Sequence, residues 1–200
     1  MGKAKRVKRD IIAVIGGIAS GKSTVLSILE KEFSYKILGM DEIAKALYGE
    51  EAVLTKLKKL LPKEVFTEEG KLSFPELRKL LFTEPERKKI LENYIHPLVF
   101  QRVFEEIKKT RTSGGKLAVE TALPNRSFLS QCDLIFYLEA SEELRCKRLQ
   151  ESRGLEKSEA LRIIKSQKFE GFREKAHFII KTEDSIERVR DEICQYFQRI

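Results

Sequence analysis

The stretch IIAVIGGIASGKSTV, residues 11–25, governs the reading of the whole chain. Its first five residues are apolar and mostly β-branched, the composition of a strand buried on both faces of a parallel sheet. Gly16–Ser23 then fits G-x-x-x-x-G-K-[ST]. Glycines let such a loop turn its N–H groups inward as an anion nest. A helix expected from about Lys22 to Phe33 adds the partial positive charge of its N-terminus. Lys22 is expected to reach the β- and γ-phosphates of a nucleoside triphosphate, and the Ser23 hydroxyl to ligate Mg²⁺. The residues expected to hold the triphosphate are Gly16, Gly17, Ile18, Ala19, Ser20, Gly21, Lys22, Ser23 and Thr24. The motif leaves open whether the chain is a kinase, a motor-like hydrolase or a switch.

Four further apolar runs read as strands: YKIL (Tyr35–Leu38), KLAVE (Lys116–Glu120), LIFYL (Leu134–Leu138) and HFIIK (His177–Lys181). Helical patterns separate them. This alternation predicts an α/β fold, a parallel sheet with helices on both faces. A short helix is expected after the second strand, with Asp41 as N-cap and Gly49 as its stop. Residues 51–111 read as a helical insertion, divided by Pro62, Gly70, Pro75, Pro85 and Pro97. The last helix, Glu183 to about Phe197, is expected to be capped by Thr182. The organisation is thus a basic arm (1–10) and one domain (11–200). That domain has a core of 11–50 and 112–200, the insertion 51–111, and a lid at about 148–173.

The chain has 200 residues, 42% of them hydrophobic, enough for one α/β core. Its net charge of +8 suggests anionic ligands, but Lys3, Lys5, Arg6, Lys8 and Arg9 crowd the first nine positions. Such an arm reads as a solvated tail, with nucleic-acid binding as the alternative. Cys132, Cys146 and Cys194 form no C-x-x-C pattern, so neither a disulfide framework nor a zinc site is expected, and a reducing cytoplasm fits. No run is long enough to span a bilayer, and no apolar signal core precedes Ile11.

In open parallel sheets, ligands gather at the carboxyl ends of the strands. Asp41 there could accept a proton from an attacking hydroxyl, or merely cap a helix. Glu120 could hold the hydration shell of Mg²⁺, or be an exposed strand-end charge. Arg145 and Arg148 lie at i, i+3 and share a helix face, with Arg153 beyond; they suit charge neutralisation on a transferring phosphoryl group, or form a solvated basic face. The charged run after Arg153 could be a lid that excludes water. At His96-Pro97 the proline is expected to break or kink its helix, and substrate contact by His96 is the sharper reading. No N-K-x-D signature is present, which argues against a GTPase switch. No Asp-Glu pair ends an apolar strand, which argues against a motor ATPase.

Taken with MDEIAK, EGKLSFPELRKLLF, LENYIHPLV, RCKRLQESRG and RIIKSQ, the loop IGGIASGKSTV resembles the dephospho-coenzyme A kinase family over nearly the whole chain. The resemblance implies a P-loop kinase three-layer fold with a five-stranded parallel sheet, a helical substrate-binding side and a lid. It implies transfer of the γ-phosphate of ATP, with Mg²⁺, to the ribose 3′-hydroxyl of dephospho-CoA. Asp41 would be the general base, with Lys22 and Arg148 catalytic beside it. His96, Glu120 and Arg145 would contact the substrate. Gly39 stands where the family has the first Asp of D-A-D, and Phe74 where it has Arg. Asn125 replaces the Glu of V-P-L-L-F-E, and His177 and Thr182 replace an Asp and an Asn. Glu120 is expected to supply the carboxylate that Gly39 lacks and to touch the metal through water. A cytoplasmic monomer acting on ATP and dephospho-CoA is expected, with neither membrane nor nucleic acid as partner. The alternatives are a kinase for a nucleoside, nucleotide or other small hydroxyl acceptor, and an NTP-binding regulator or nucleic-acid-associated ATPase.

Overall fold

A computed structural model describes residues 9–122, 124–167 and 171–199. The basic arm up to residue 8 and residues 168–170 of the expected lid lie outside the described residues. The strands are β1 (Ile11–Gly16), β2 (Lys36–Gly39), β3 (Leu117–Thr121), β4 (Leu134–Glu139) and β5 (Phe178–Lys181). They form the expected five-stranded parallel sheet in the order β2-β3-β1-β4-β5. β1 is the central strand, and its ladders to β3 and β4 are both parallel. Ile11 through Ile15 are completely buried, which is why this strand shows no polar alternation.

The helices are α1 (Lys22–Phe33), α2 (Met40–Leu47), α3 (Glu51–Leu60), α4 (Phe74–Thr83), α5 (Pro85–Ser113), α6 (Arg126–Leu129), α7 (Glu142–Arg153), α8 (Lys157–Ser166) and α9 (Ile186–Arg199). Val25, Ile28 and Leu29 of α1 pack with Val189 and Ile193 of α9 against Ile12, Val14, Phe136 and Ile180 of the sheet. Stacking of Phe33 on Phe197, ring centroids 4.2 Å apart, closes one end of that layer. A smaller cluster of Cys146, Leu149, Ala160 and Ile164 joins α7 to α8, with Ile18 and Ala19 of the glycine loop packed on it.

The chain divides into two compact units, one running up to Leu38 and resuming at Ile107, the other Gly39–Glu106. The first holds the glycine loop and α6 to α9. The second holds α2 to α4 and most of α5. Within it, a turn at Gly70 brings Phe66 and Leu72 into an antiparallel bridge, and Arg87 donates to the Leu60 carbonyl.

Three local expectations are corrected. Asp41 is not the N-cap of α2. The chain passes from β2 into the helix without an intervening loop, so Gly39 caps it, with no side-chain bond, and Asp41 lies in the first turn. The helix does stop at Gly49, the residue just past its C-cap Tyr48. Thr182 does not cap the last helix, which begins at Ile186, because its hydroxyl is bound to the glycine loop instead. Pro97 does not break α5, which runs unbroken from Pro85 to Ser113. Leu91, Ile95, Val99, Val103 and Ile107, each four residues apart, are buried along this helix. Burial of that stripe outweighs the proline's lost hydrogen bond.

Candidate active site

Gly16 ends β1, and the loop after it is gripped from behind. Arg145 Nε donates to the Ile18 carbonyl (2.8 Å), Arg148 Nη1 to Ala19 (3.1 Å) and Thr182 Oγ1 to Ser20 (2.7 Å). In a planar trans peptide the C=O and the following N–H point in opposite directions. Drawing these carbonyls outward therefore turns the N–H groups of Ala19 and Gly21 the other way, as an anion nest requires. The loop is built tightly enough to need its glycines at two places. A Cβ on Gly16 would sit 2.9 Å from the Leu138 carbonyl oxygen, and Gly21 holds φ +84° with Thr182 3.0 Å from where its Cβ would be. Ala19 takes a left-handed φ of +58°, held there by the Arg148 bond and by packing on the α7–α8 cluster.

Lys22 is buried. Its Nζ donates to the carbonyls of Gly16 and Gly17, both at 3.1 Å, and lies 3.7 Å from the Glu120 carboxylate. Glu120 is the penultimate residue of β3, paired with Val14 in the β1 ladder, and its side chain is partly exposed. Ser23 is exposed in the first turn of α1. Ser23 and Glu120 offer oxygen donors of the kind Mg²⁺ demands. Among the described residues no cluster of His, Cys, Asp or Glu could itself hold a metal ion. Ser20 is 1% exposed, and its buried hydroxyl has no hydrogen-bond partner among the described residues. An orphaned buried hydroxyl at this point fits a loop shaped for a ligand.

A cavity of about 480 Å³ opens beside the loop at the carboxyl ends of β4 and β5. Tyr137, Glu139, Ser141, Arg145, Lys181 and Glu183 line it together with Gly17, Ser20 and Gln167. Its volume lies in the range of small-ligand sites. Burial pushes the Arg145 guanidinium below its ordinary pKa. Burial first, then Glu139, pushes the Tyr137 phenol up. Glu139 pairs with Arg173, and that hydrogen bond raises the Arg173 pKa. Glu183 accepts from the Ser141 N–H at 2.6 Å.

Lys22, Ser23, Glu120, Arg145 and Arg148 are thus in or against the glycine loop. The two arginines do not form a solvated basic face, since Arg148 also donates to the Thr182 carbonyl (2.5 Å) and hydroxyl (3.2 Å). Arg153 is exposed at the end of α7. Asp41 and His96 belong to the Gly39–Glu106 unit, Asp41 exposed on α2 and His96 half-buried on α5. There Phe74 meets Tyr48 edge-on at 5.8 Å, and burial, then Glu92 and Asp41, raise the Tyr48 pKa. Asn125 caps α6, accepting from Phe128 N at 2.7 Å, and His177 Nδ1 accepts from Ile135 N. Sequence reasoning missed Gln167 and the cavity-lining Tyr137, Glu139, Lys181 and Glu183. Of these only Gln167 carried a signal, as the last residue of RIIKSQ.

The family model for dephospho-CoA kinase matches residues 10–188. The chain belongs to the dephospho-CoA kinase family. The dephospho-CoA kinase of Carboxydothermus hydrogenoformans is 32% identical over 193 residues, covering 94% of this chain and 93% of that protein. A crystal structure of a Thermus thermophilus protein superposes with a TM-score of 0.74 at 27% identity, covering 95% and 97% of the two chains. Dephospho-CoA kinase from Campylobacter jejuni superposes with a TM-score of 0.65 at 26% identity, covering 95% and 96%. Membership in the dephospho-CoA kinase family makes the chain an ATP-dependent kinase with the P-loop kinase fold, so neither the motor nor the switch reading holds. No helix among the described residues is long and apolar enough to cross a membrane.

Proposed function

We propose that this kinase phosphorylates the ribose 3′-hydroxyl of dephospho-CoA, giving coenzyme A and ADP. The observation that carries the reading is the Gly16–Ser23 loop, bound along its back by Arg145, Arg148 and Thr182, in a chain of this family. The triphosphate lies in the nest with Lys22 drawn onto its β- and γ-phosphates, and the adenosine enters the adjoining cavity. The Ser23 hydroxyl and, through water, Glu120 would hold Mg²⁺, whose charge would offset that of the phosphates. The 3′-oxygen attacks the γ-phosphorus in line, the bond to the β–γ bridging oxygen breaks, and Asp41 accepts the hydroxyl proton. His96 contributes on the acceptor side. The enzyme works as a monomer in the cytoplasm.

The test is ADP release over a panel of acceptors containing dephospho-CoA, nucleosides, nucleotides and small hydroxyl compounds. Turnover with dephospho-CoA alone is the expected result. Turnover with another acceptor and none with dephospho-CoA would transfer the site to that second acceptor class.

A further inference from the structure

Ile18 of the glycine loop is held at both its N–H and its C=O by side chains, one from the end of α8 and one from α7. Gln167 Oε1 accepts from Ile18 N at 2.7 Å, and Arg145 Nε donates to Ile18 O at 2.8 Å. The same Gln167 oxygen also accepts from Arg145 Nη2 at 3.0 Å, which closes a ring of three groups. Gln167 is the C-cap of α8, with its own N–H bonded to the Ile164 carbonyl, so the helix end aims its side chain. Ile164 sits in the cluster that joins α8 to α7 and packs on Ile18 and Ala19. The Arg145 guanidinium lies against the Gly17 backbone, its Nη2 2.2 Å from where a Cβ on Gly17 would stand. Arg145 thus touches the loop at both Gly17 and Ile18, and the Gln167 amide holds Arg145.

We propose that Gln167 is a positioning residue for triphosphate binding, its side-chain oxygen fixing Ile18 and Arg145 together so that the loop is shaped before the nucleotide arrives. The inference rests on the Gly16–Ser23 loop being the triphosphate cradle and is independent of the acceptor. A preorganised loop binds without first paying its ordering cost. Two hydrogen bonds are lost when the oxygen goes, one of them from a charged donor, and the expected loss of ATP affinity is about tenfold.

The experiment compares Gln167→Met, similar in size and without the oxygen, with Gln167→Glu, which keeps an acceptor for both donors. The dissociation constant of ATP is measured by calorimetry, and KM and kcat with dephospho-CoA as acceptor. Gln167→Met is expected to raise the ATP dissociation constant and the KM for ATP about tenfold. The kcat at saturation, the KM for dephospho-CoA and the thermal midpoint stay close to wild type. Gln167→Glu is expected to recover at least half of the lost affinity on a logarithmic scale. Unchanged ATP affinity in Gln167→Met, or a fall in kcat with KM for ATP unchanged, would overturn the inference. If Gln167→Met does not fold, Gln167→Asn, one methylene too short to reach Ile18, is read by the same criteria. Wild-type protein that binds ATP without turning over dephospho-CoA refutes the acceptor proposal and leaves this comparison intact. Wild-type protein that does not bind ATP removes the cradle reading and this inference with it.

Discussion

Thr182 shows how one side chain can be read correctly as a hydrogen-bonding residue and assigned the wrong partner. Its hydroxyl can cap a following helix or reach across the fold, and sequence spacing distinguishes neither. In the structure it is buried, donates to Ser20 O and accepts from Arg148. Thr182→Val keeps the shape and removes the hydroxyl, leaving the Ser20 carbonyl and an Arg148 donor short of a partner. A loss of about 1–3 kcal/mol is expected in urea unfolding, with Thr182→Ser recovering most of it. Lys22 was legible because its spacing from Gly16 dictates its reach, and it returns onto the carbonyls of Gly16 and Gly17. Lys22→Ala should nearly abolish turnover; retained activity would dissociate the loop from catalysis. Asp41→Asn should lower kcat by about 10²–10⁴ while ATP binding persists, the scale of a lost general base. An unchanged kcat would leave Asp41 as a first-turn charge stabilising α2.

At the scale of elements, α5 is where local rules lose to tertiary burial. Pro97 is exposed in the middle of a 29-residue helix. Its missing N–H and its ring should break or kink the helix, yet the helix continues unbroken past it, with the buried stripe from Leu91 to Ile107 on both sides. Pro97→Ala restores a backbone donor on a solvent-facing surface. It should raise stability by about 1–3 kcal/mol in urea unfolding, and no gain would mean the helix has already relaxed around the proline. The helix of α1, by contrast, was readable to the residue. Its N-terminus is set by the glycine loop, and its apolar side faces a sheet that the same sequence had announced. β5 begins at Phe178, one residue after the expected start, although His177 already donates its N–H to the Ile135 carbonyl and accepts from Ile135 N with its ring.

At the scale of the molecule, the end of the sheet opposite the glycine loop sets an alkaline limit. The buried Tyr35 phenol donates to the Arg9 carbonyl, and burial first, then Asp10, raises its pKa well above the usual tyrosine range. Burial first, then Asp133, pushes the Cys132 thiol up to about 12. Both groups keep their protons in the folded chain after the unfolded chain has lost them. Their contribution is full below about pH 8.5, the unfolded cysteine value, and is lost as pH rises through the alkaline range. Urea midpoints should therefore fall from pH 8 to pH 11, less steeply in Cys132→Ala, and a flat profile would contradict this. The sequence by itself determined the family, the parallel sheet and the phosphate cradle. Those depend on short-range patterns, in which a glycine spacing and an apolar run dictate their own backbone. Only the tertiary structure decided that Arg145, Arg148, Thr182 and Gln167 serve the back of that cradle. They come from α7, from the end of α8 and from the residue after β5, more than 120 positions beyond the loop. A hydrogen bond over that separation exists only once the sheet has brought β1, β4 and β5 side by side.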